Sequence, residues 1–152
     1  MEQFAFAVGV LAVLFLGLSA GALLAEAGVL VPFWRSEEPD SFLSWYGRYA
    51  DLLLRFFGPL EAASGLLVAA ATALAWFALL PGPVLFSLST GLTLAVLASF
   101  PLYFKTANAR FAEGSIPTAD VAAELKRWSI WHWVRTGFAV AAFLLAALAL
   151  AY

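Results

Sequence analysis

The chain of 152 residues has no cysteine, one histidine, and no methionine other than Met1. Without cysteine there is no disulfide, no thiolate metal site, no iron–sulfur cluster and no cysteine nucleophile. One histidine without an internal methionine rules out bis-histidine haem within one chain and a facial triad built on two histidines. Charge is also scarce. Only 12% of residues are Asp, Glu, Lys or Arg, against about 25% in an ordinary soluble domain. The net charge is -2, so no basic surface points to nucleic acid. No glycine-rich nucleotide loop is present. The opening Met1-Glu2-Gln3-Phe4 lacks the basic region of a secretory signal, so the first apolar segment is expected to be retained. No internal repeat, low-complexity tract or long linker divides the chain, which therefore reads as a single domain, 1–152. Without repeats, alternating-access transport is also disfavoured.

What the chain has is apolar length: 64% of its residues are hydrophobic. Phe4 to Ala25 contains 22 residues without a charge, and about 20 suffice to cross the hydrocarbon core. A first span is expected from about Phe4 to Val31, with Pro32 and Trp34 at its exit. Gly17, Gly21, Ala25 and Gly28 form a small-residue stripe that predicts close helix packing. Arg35 to Asp40 reads as a polar turn. Ser41 to Phe57, with Arg48, Asp51 and Arg55 among apolar residues, reads as an interfacial helix or a long approach to the second span. Gly58-Pro59 is expected to break or kink it.

The second span is expected from Leu60 to Leu80, with Glu61, Gly65, Ala69 and Thr72 on its inward face. Pro81-Gly82-Pro83 forces an antiparallel return. The third span runs from Val84 to Phe104, with a kink at Pro101 and a helical extension through Asn108. After a loop from Glu113 to Thr118, in which Thr118 reads as an N-cap, a short amphipathic helix leads to Arg127. The fourth span runs from Trp131 to Tyr152. The fold class is an all-α integral membrane protein: an up-down-up-down bundle of four transmembrane helices with an interfacial helix between spans one and two.

All eight Lys and Arg lie in the connections after spans one and three or at the spans they lead into. The positive-inside rule then places both long connections in the cytoplasm and both termini outside, in the cell's inner membrane. Arg55 and Arg135 can belong to a site; setting them aside leaves Arg35, Arg48, Lys105, Arg110, Lys126 and Arg127, and the orientation stands.

The topology gathers polar residues at that cytoplasmic end. Glu26 closes the first span, Glu61 opens the second, Asn108 follows the third, and His132 and Arg135 open the fourth. Trp128, His132, Arg135, Thr136 and Ala139 share one helix face. Ionisable residues at such depth are the default candidates for a functional site. His132 and Glu61 can pass protons near neutral pH, and Arg135 can hold an oxyanion or carboxylate. Glu26, Asn108, Trp128, Trp131 and Trp45, with Trp133 and Tyr103, can wall in a flat aromatic ligand. The plainer readings are interhelical ion pairs for the glutamates, an interfacial belt for the tryptophans and a helix C-cap for Asn108. No cofactor is expected. A Glu26–Glu61–His132 metal site is conceivable by ligand type but lacks any metal-type spacing.

Asn108, followed by Trp128-x-x-Trp131-His132-x-x-Arg135-Thr136 leading into a last span, resembles the C-terminal half of the anthrone oxygenase-like membrane proteins. The Gly17-x-x-x-Gly21 span ending in Val31-Pro32 is similar to the family as well. The resemblance implies four spans. It also implies, for some members, oxidation of anthrones to anthraquinones by dioxygen. An anthrone needs only deprotonation to give an enolate that reacts with oxygen. A base at His132 and a cation at Arg135 would serve without a metal. The alternative is a non-enzymatic small-molecule binder or accessory subunit of a membrane complex. The partners expected are membrane lipids and a lipophilic small molecule.

Overall fold

The computed structural model describes residues 1–151, and these are helical almost throughout, with no strand among the described residues. Helix α1 spans Glu2–Ala25, a π-helical turn covers Glu26–Leu30, and α2 covers Val31–Ser36. Helix α3 spans Pro39–Trp76 and α4 spans Pro83–Ser99; a second π-helical turn at Phe100–Phe104 leads into α5, Lys105–Ala112. A 3-10 turn at Thr118–Asp120 opens onto α6, Val121–Ala151. Together these make four helical stretches of 35, 38, 30 and 34 residues, each long and apolar enough to cross a membrane. At 1.5 Å per residue they reach roughly 45–57 Å, well past the ~30 Å hydrocarbon thickness. The fourth stretch contains the expected span except for Tyr152, which lies outside the described residues.

Ala and Leu, strong helix formers, make up much of these stretches. Pro59 lies inside α3, so Gly58-Pro59 does not break the helix and Ser41–Phe57 is continuous with the second span. The reason is local: Pro59 and Arg55 are both exposed, so the Arg55 carbonyl that loses its donor can tilt outward. Pro101 sits in the second π-helical turn, where the Lys105 N–H reaches back five residues to the Phe100 carbonyl. Pro32 lies two residues past the end of the first, which is closed by Val31 N–H to the Glu26 carbonyl. Each wide turn adds a residue and rotates the helix beyond it.

Helix α1 packs against α3 and α6, and α4 packs against the same two. Gly9, Gly17 and Leu23 of α1 meet Leu150, Phe143 and His132 of α6 in reverse order. One end of the bundle is closed by small residues, including Ala5, Ala12, Ala71, Ala75, Ala142, Ala146 and Ala149. The other is closed by Trp34, Phe42, Tyr46, Phe104, Phe111 and Trp128. Small residues let backbones approach where lipid offers no hydrophobic drive for helix association.

The expected packing stripe of α1 is displaced. Gly21, Ala25 and Gly28 are exposed, and a Cβ on Gly21 or Gly28 would meet nothing within 4 Å. Gly17 does pack, against Phe143. The buried line runs instead through Ala5, Gly9, Ala12, Leu16, Ser19 and Leu23 to Glu26, because the interior must receive Glu26. On α3 the buried line is Glu61, Ser64, Val68, Ala71 and Ala75. Gly65 and Thr72 are half-buried beside it, and Ala69 is exposed. Thr118 does not cap a helix; its hydroxyl donates to Asp40 Oδ1 at 3.2 Å.

Gly82 makes the tight return between α3 and α4. Its φ is +63°, and a Cβ there would sit 2.8 Å from the Ala149 backbone. Gly82→Ala should therefore cost about 3 kcal/mol or more, from left-handed strain plus a clash with main chain. Gly21→Leu, pointing into open space, should change stability by no more than about 0.5 kcal/mol. Thermal melts in one detergent compare the two; equal losses would mean that the rotation of α1 is wrong.

Candidate functional site

Between the alanine-rich end and the aromatic end lies a buried polar cluster. Glu26 enters it as the first residue of the π-helical turn after α1. Glu61 enters from α3, and His132, Arg135 and Thr136 from one face of α6. All five are at most 8% exposed.

Arg135 is the hub. Its Nε donates to His132 Nδ1 at 3.0 Å, and one terminal nitrogen donates to Glu26 Oε2 at 3.2 Å. The other terminal nitrogen lies 3.9 Å from Glu61 Oε1, close enough for charge attraction and too far for a hydrogen bond. The guanidinium carbon stands 4.1 Å from the centre of the Phe104 ring, a cation–π contact.

Arginine has donors only, so His132 Nδ1 must accept. The ring proton is then on Nε2, which donates to the Leu23 carbonyl at 3.0 Å. His132 is thus a neutral imidazole with both nitrogens engaged, and its side chain is fully buried. The 3.6 Å approach of His132 Nδ1 to Glu26 Oε2 carries no proton between the two atoms and is no salt bridge. Trp128 stacks on the His132 ring at 4.9 Å and 13° and donates its Nε1–H to Asn108 Oδ1 at 2.8 Å. Asn108 therefore acts inside α5, as a partner of Trp128, and is no helix C-cap.

A cavity of about 500 Å³ opens beside the cluster, within the usual range for small-molecule sites. Tyr46, Phe57, Glu61, Asn108, Trp128 and Arg135 line it, and Glu26 reaches its inner end. Glu61 Oε1 is buried without a hydrogen-bond partner. A buried carboxylate oxygen normally finds a donor, so an unpaired one beside a cavity is chemically conspicuous.

Five of the residues singled out in the sequence thus line one cavity: Glu26, Glu61, Asn108, Trp128 and Arg135. Three do not. His132 lies behind Arg135, held by Arg135 and Leu23, so it has no free nitrogen for a ligand. Trp45 packs against Trp34 and Tyr49 in the aromatic end. Trp131 is 40% exposed and stacks on Tyr103 at 5.1 Å. Tyr103 in turn donates to Glu124, which pairs with Arg110 and Arg127, all outside the cavity. The sequence reading missed Tyr46 and Phe57, which lay in the stretch read as interfacial, and Phe104, placed by the turn at Pro101. The Leu23 carbonyl has no side-chain signature at all.

Among the described residues no three His, Asp or Glu side chains form a metal-holding group. Both glutamates face the Arg135 guanidinium, and the His132 lone pair that a metal would need is already taken by Arg135 Nε. Comparison with protein-family models, curated proteins and solved structures returns no match.

Proposed function

We propose that the chain is an integral membrane protein in which the four helical stretches cross an inner membrane in alternating directions. Both termini lie outside, and the aromatic end of the bundle lies at the cytoplasmic face. The basic residues of the two long connections support that orientation. The part of α3 before Gly58 then runs along or through the cytoplasmic interface.

The cavity binds a planar, lipophilic molecule with a weakly acidic C–H or O–H, and the protein oxidises it with dioxygen in the manner of the anthrone oxygenase-like proteins that the sequence resembles. One observation supports this reading: Glu61, whose buried Oε1 has no hydrogen-bond partner, and Arg135 line the same cavity. Glu61 takes the proton, and Arg135 stabilises the oxyanion of the resulting enolate. The role first given to His132 passes to Glu61, and His132 becomes a positioning residue for Arg135. Dioxygen then oxidises the enolate carbon, and the overall change is anthrone plus O₂ to anthraquinone plus water.

The test is oxygen-dependent conversion of anthrone by protein reconstituted in vesicles, with product quantified by chromatography against protein-free vesicles. Conversion above that background is expected. Binding without conversion would instead establish the second reading, a small-molecule-binding accessory protein. That reading is favoured by the hydrogen bonds through which Arg135 is already committed to Glu26 and His132.

A further inference from the structure

The cavity is closed at both ends of the bundle. Towards the aromatic end, Trp34 packs edge-on to Trp128 at 5.6 Å, and Phe111 contacts both Phe42 at 5.1 Å and Tyr46 at 5.5 Å. Trp34, Phe42, Phe111 and Trp128 are each at most 1% exposed, so this cap is tightly packed. Towards the other end stand Leu23, Val96 and Ala139, and beyond them the alanine-rich core. The π-helical turn after α1 and helix α6 form the back, through Glu26, Trp128 and Arg135.

The remaining side is the gap between α3 and α5. The residues lining the cavity there are exposed: Asp51, Leu54 and Gly58 on α3, Lys105 and Ala109 on α5. The rim is partly apolar: Leu54 on α3 is 53% exposed, and Leu102, one turn before Lys105, is 78% exposed. Large apolar side chains at that exposure belong against lipid, and the charged Asp51 and Lys105 on the same rim belong at the headgroup level. The mouth therefore straddles the boundary between hydrocarbon and headgroups.

We propose that the ligand enters sideways from the bilayer, through the gap between α3 and α5, with Gly58 as the residue that keeps it open. Gly58 lines the cavity at this rim, and a Cβ there would meet nothing within 4 Å, so a larger side chain would project into unfilled space at the gap. A ligand taken by this route is first dissolved in the membrane. It slides in past Leu54, Gly58 and Phe57 and presents its acidic proton to Glu61 at the inner end. This rests on the ligand class proposed above.

The absence of cysteine makes the test clean. A single Gly58→Cys variant is folded, reconstituted in phospholipid vesicles and then labelled with a bulky maleimide, so labelling cannot interfere with folding. The probe is anthrone under nitrogen, and the readout is the rate at which it quenches tryptophan fluorescence, Trp128 being a wall of the cavity. Labelling at Gly58→Cys should slow quenching at least tenfold, and labelling at the outward-facing Gly21→Cys should leave it within twofold. Ala109→Cys, on the opposite rim, gives the same result if Gly58→Cys does not fold. Unchanged quenching after labelling at either rim position would overturn the sideways route while leaving the ligand class intact. No quenching in the unlabelled wild-type protein would overturn the ligand class, and the route with it.

Discussion

Arg135→Ala should destabilise the folded protein by about 3–5 kcal/mol, the range expected when one partner of a buried ion pair is removed. Glu26 would be left as an uncompensated buried charge, and His132 Nδ1 would lose its only donor. Arg135→Lys should recover little of the loss, because a single ammonium cannot reproduce a planar fork that reaches His132, Glu26 and Glu61 from three nitrogens. The paired change Arg135→Leu with Glu26→Gln should recover part of it, since the Glu26 charge leaves with Arg135 while Glu61 and His132 Nδ1 stay without their partner. Unfolding in mixed micelles of mild and denaturing detergent measures all four proteins. If Arg135→Ala unfolds with the wild type, Arg135 is not the hub of this bundle.

Glu61→Gln should have the opposite profile. Turnover should fall by roughly 10²–10⁴-fold, the usual contribution of a positioned general base. Stability should hold or rise, because the substitution removes a buried charge that no hydrogen bond satisfies at Oε1, while Arg135 keeps Glu26 as its counter-charge. A stability loss comparable to that of Arg135→Ala, with turnover retained, would make Glu61 a structural anchor. His132→Ala offers a useful contrast. It removes the acceptor that holds Arg135 Nε, so stability and turnover should fall together.

The gross architecture is legible because charge is so costly inside a bilayer. Twenty-two uncharged residues from Phe4 to Ala25, or nineteen from Ala62 to Leu80, admit few other readings. The shared face of Trp128, His132, Arg135, Thr136 and Ala139 is also legible, since a helix repeats every 3.6 residues and all five are buried. Rotation about each helix is not. Against lipid both faces of a helix are apolar, so hydrophobic periodicity does not mark the inner side. The exposed glycines of α1 look in sequence like the buried ones, and only the position of Glu26 identifies the inner face.

The division of labour within the site was hidden for a different reason. Whether a histidine is free or bound depends on partners such as the Leu23 carbonyl, which no side-chain pattern encodes. Likewise, a tryptophan at the membrane boundary reads the same whether it walls a cavity, as Trp128 does, or stacks on a surface tyrosine, as Trp131 does. The two π-helical turns set Glu26 and Phe104 around Arg135, and their only sequence traces are the prolines at 32 and 101.

The most direct test of proton abstraction at this cavity is the absorption spectrum of anthrone bound to the reconstituted protein under nitrogen, where oxidation cannot follow. In the wild type the bound molecule should show the red-shifted band of its enolate, with Arg135 balancing the charge, and in Glu61→Gln it should show the neutral keto form. Neutral keto anthrone bound to both proteins would contradict Glu61 as the base and leave the cavity a binding site without chemistry.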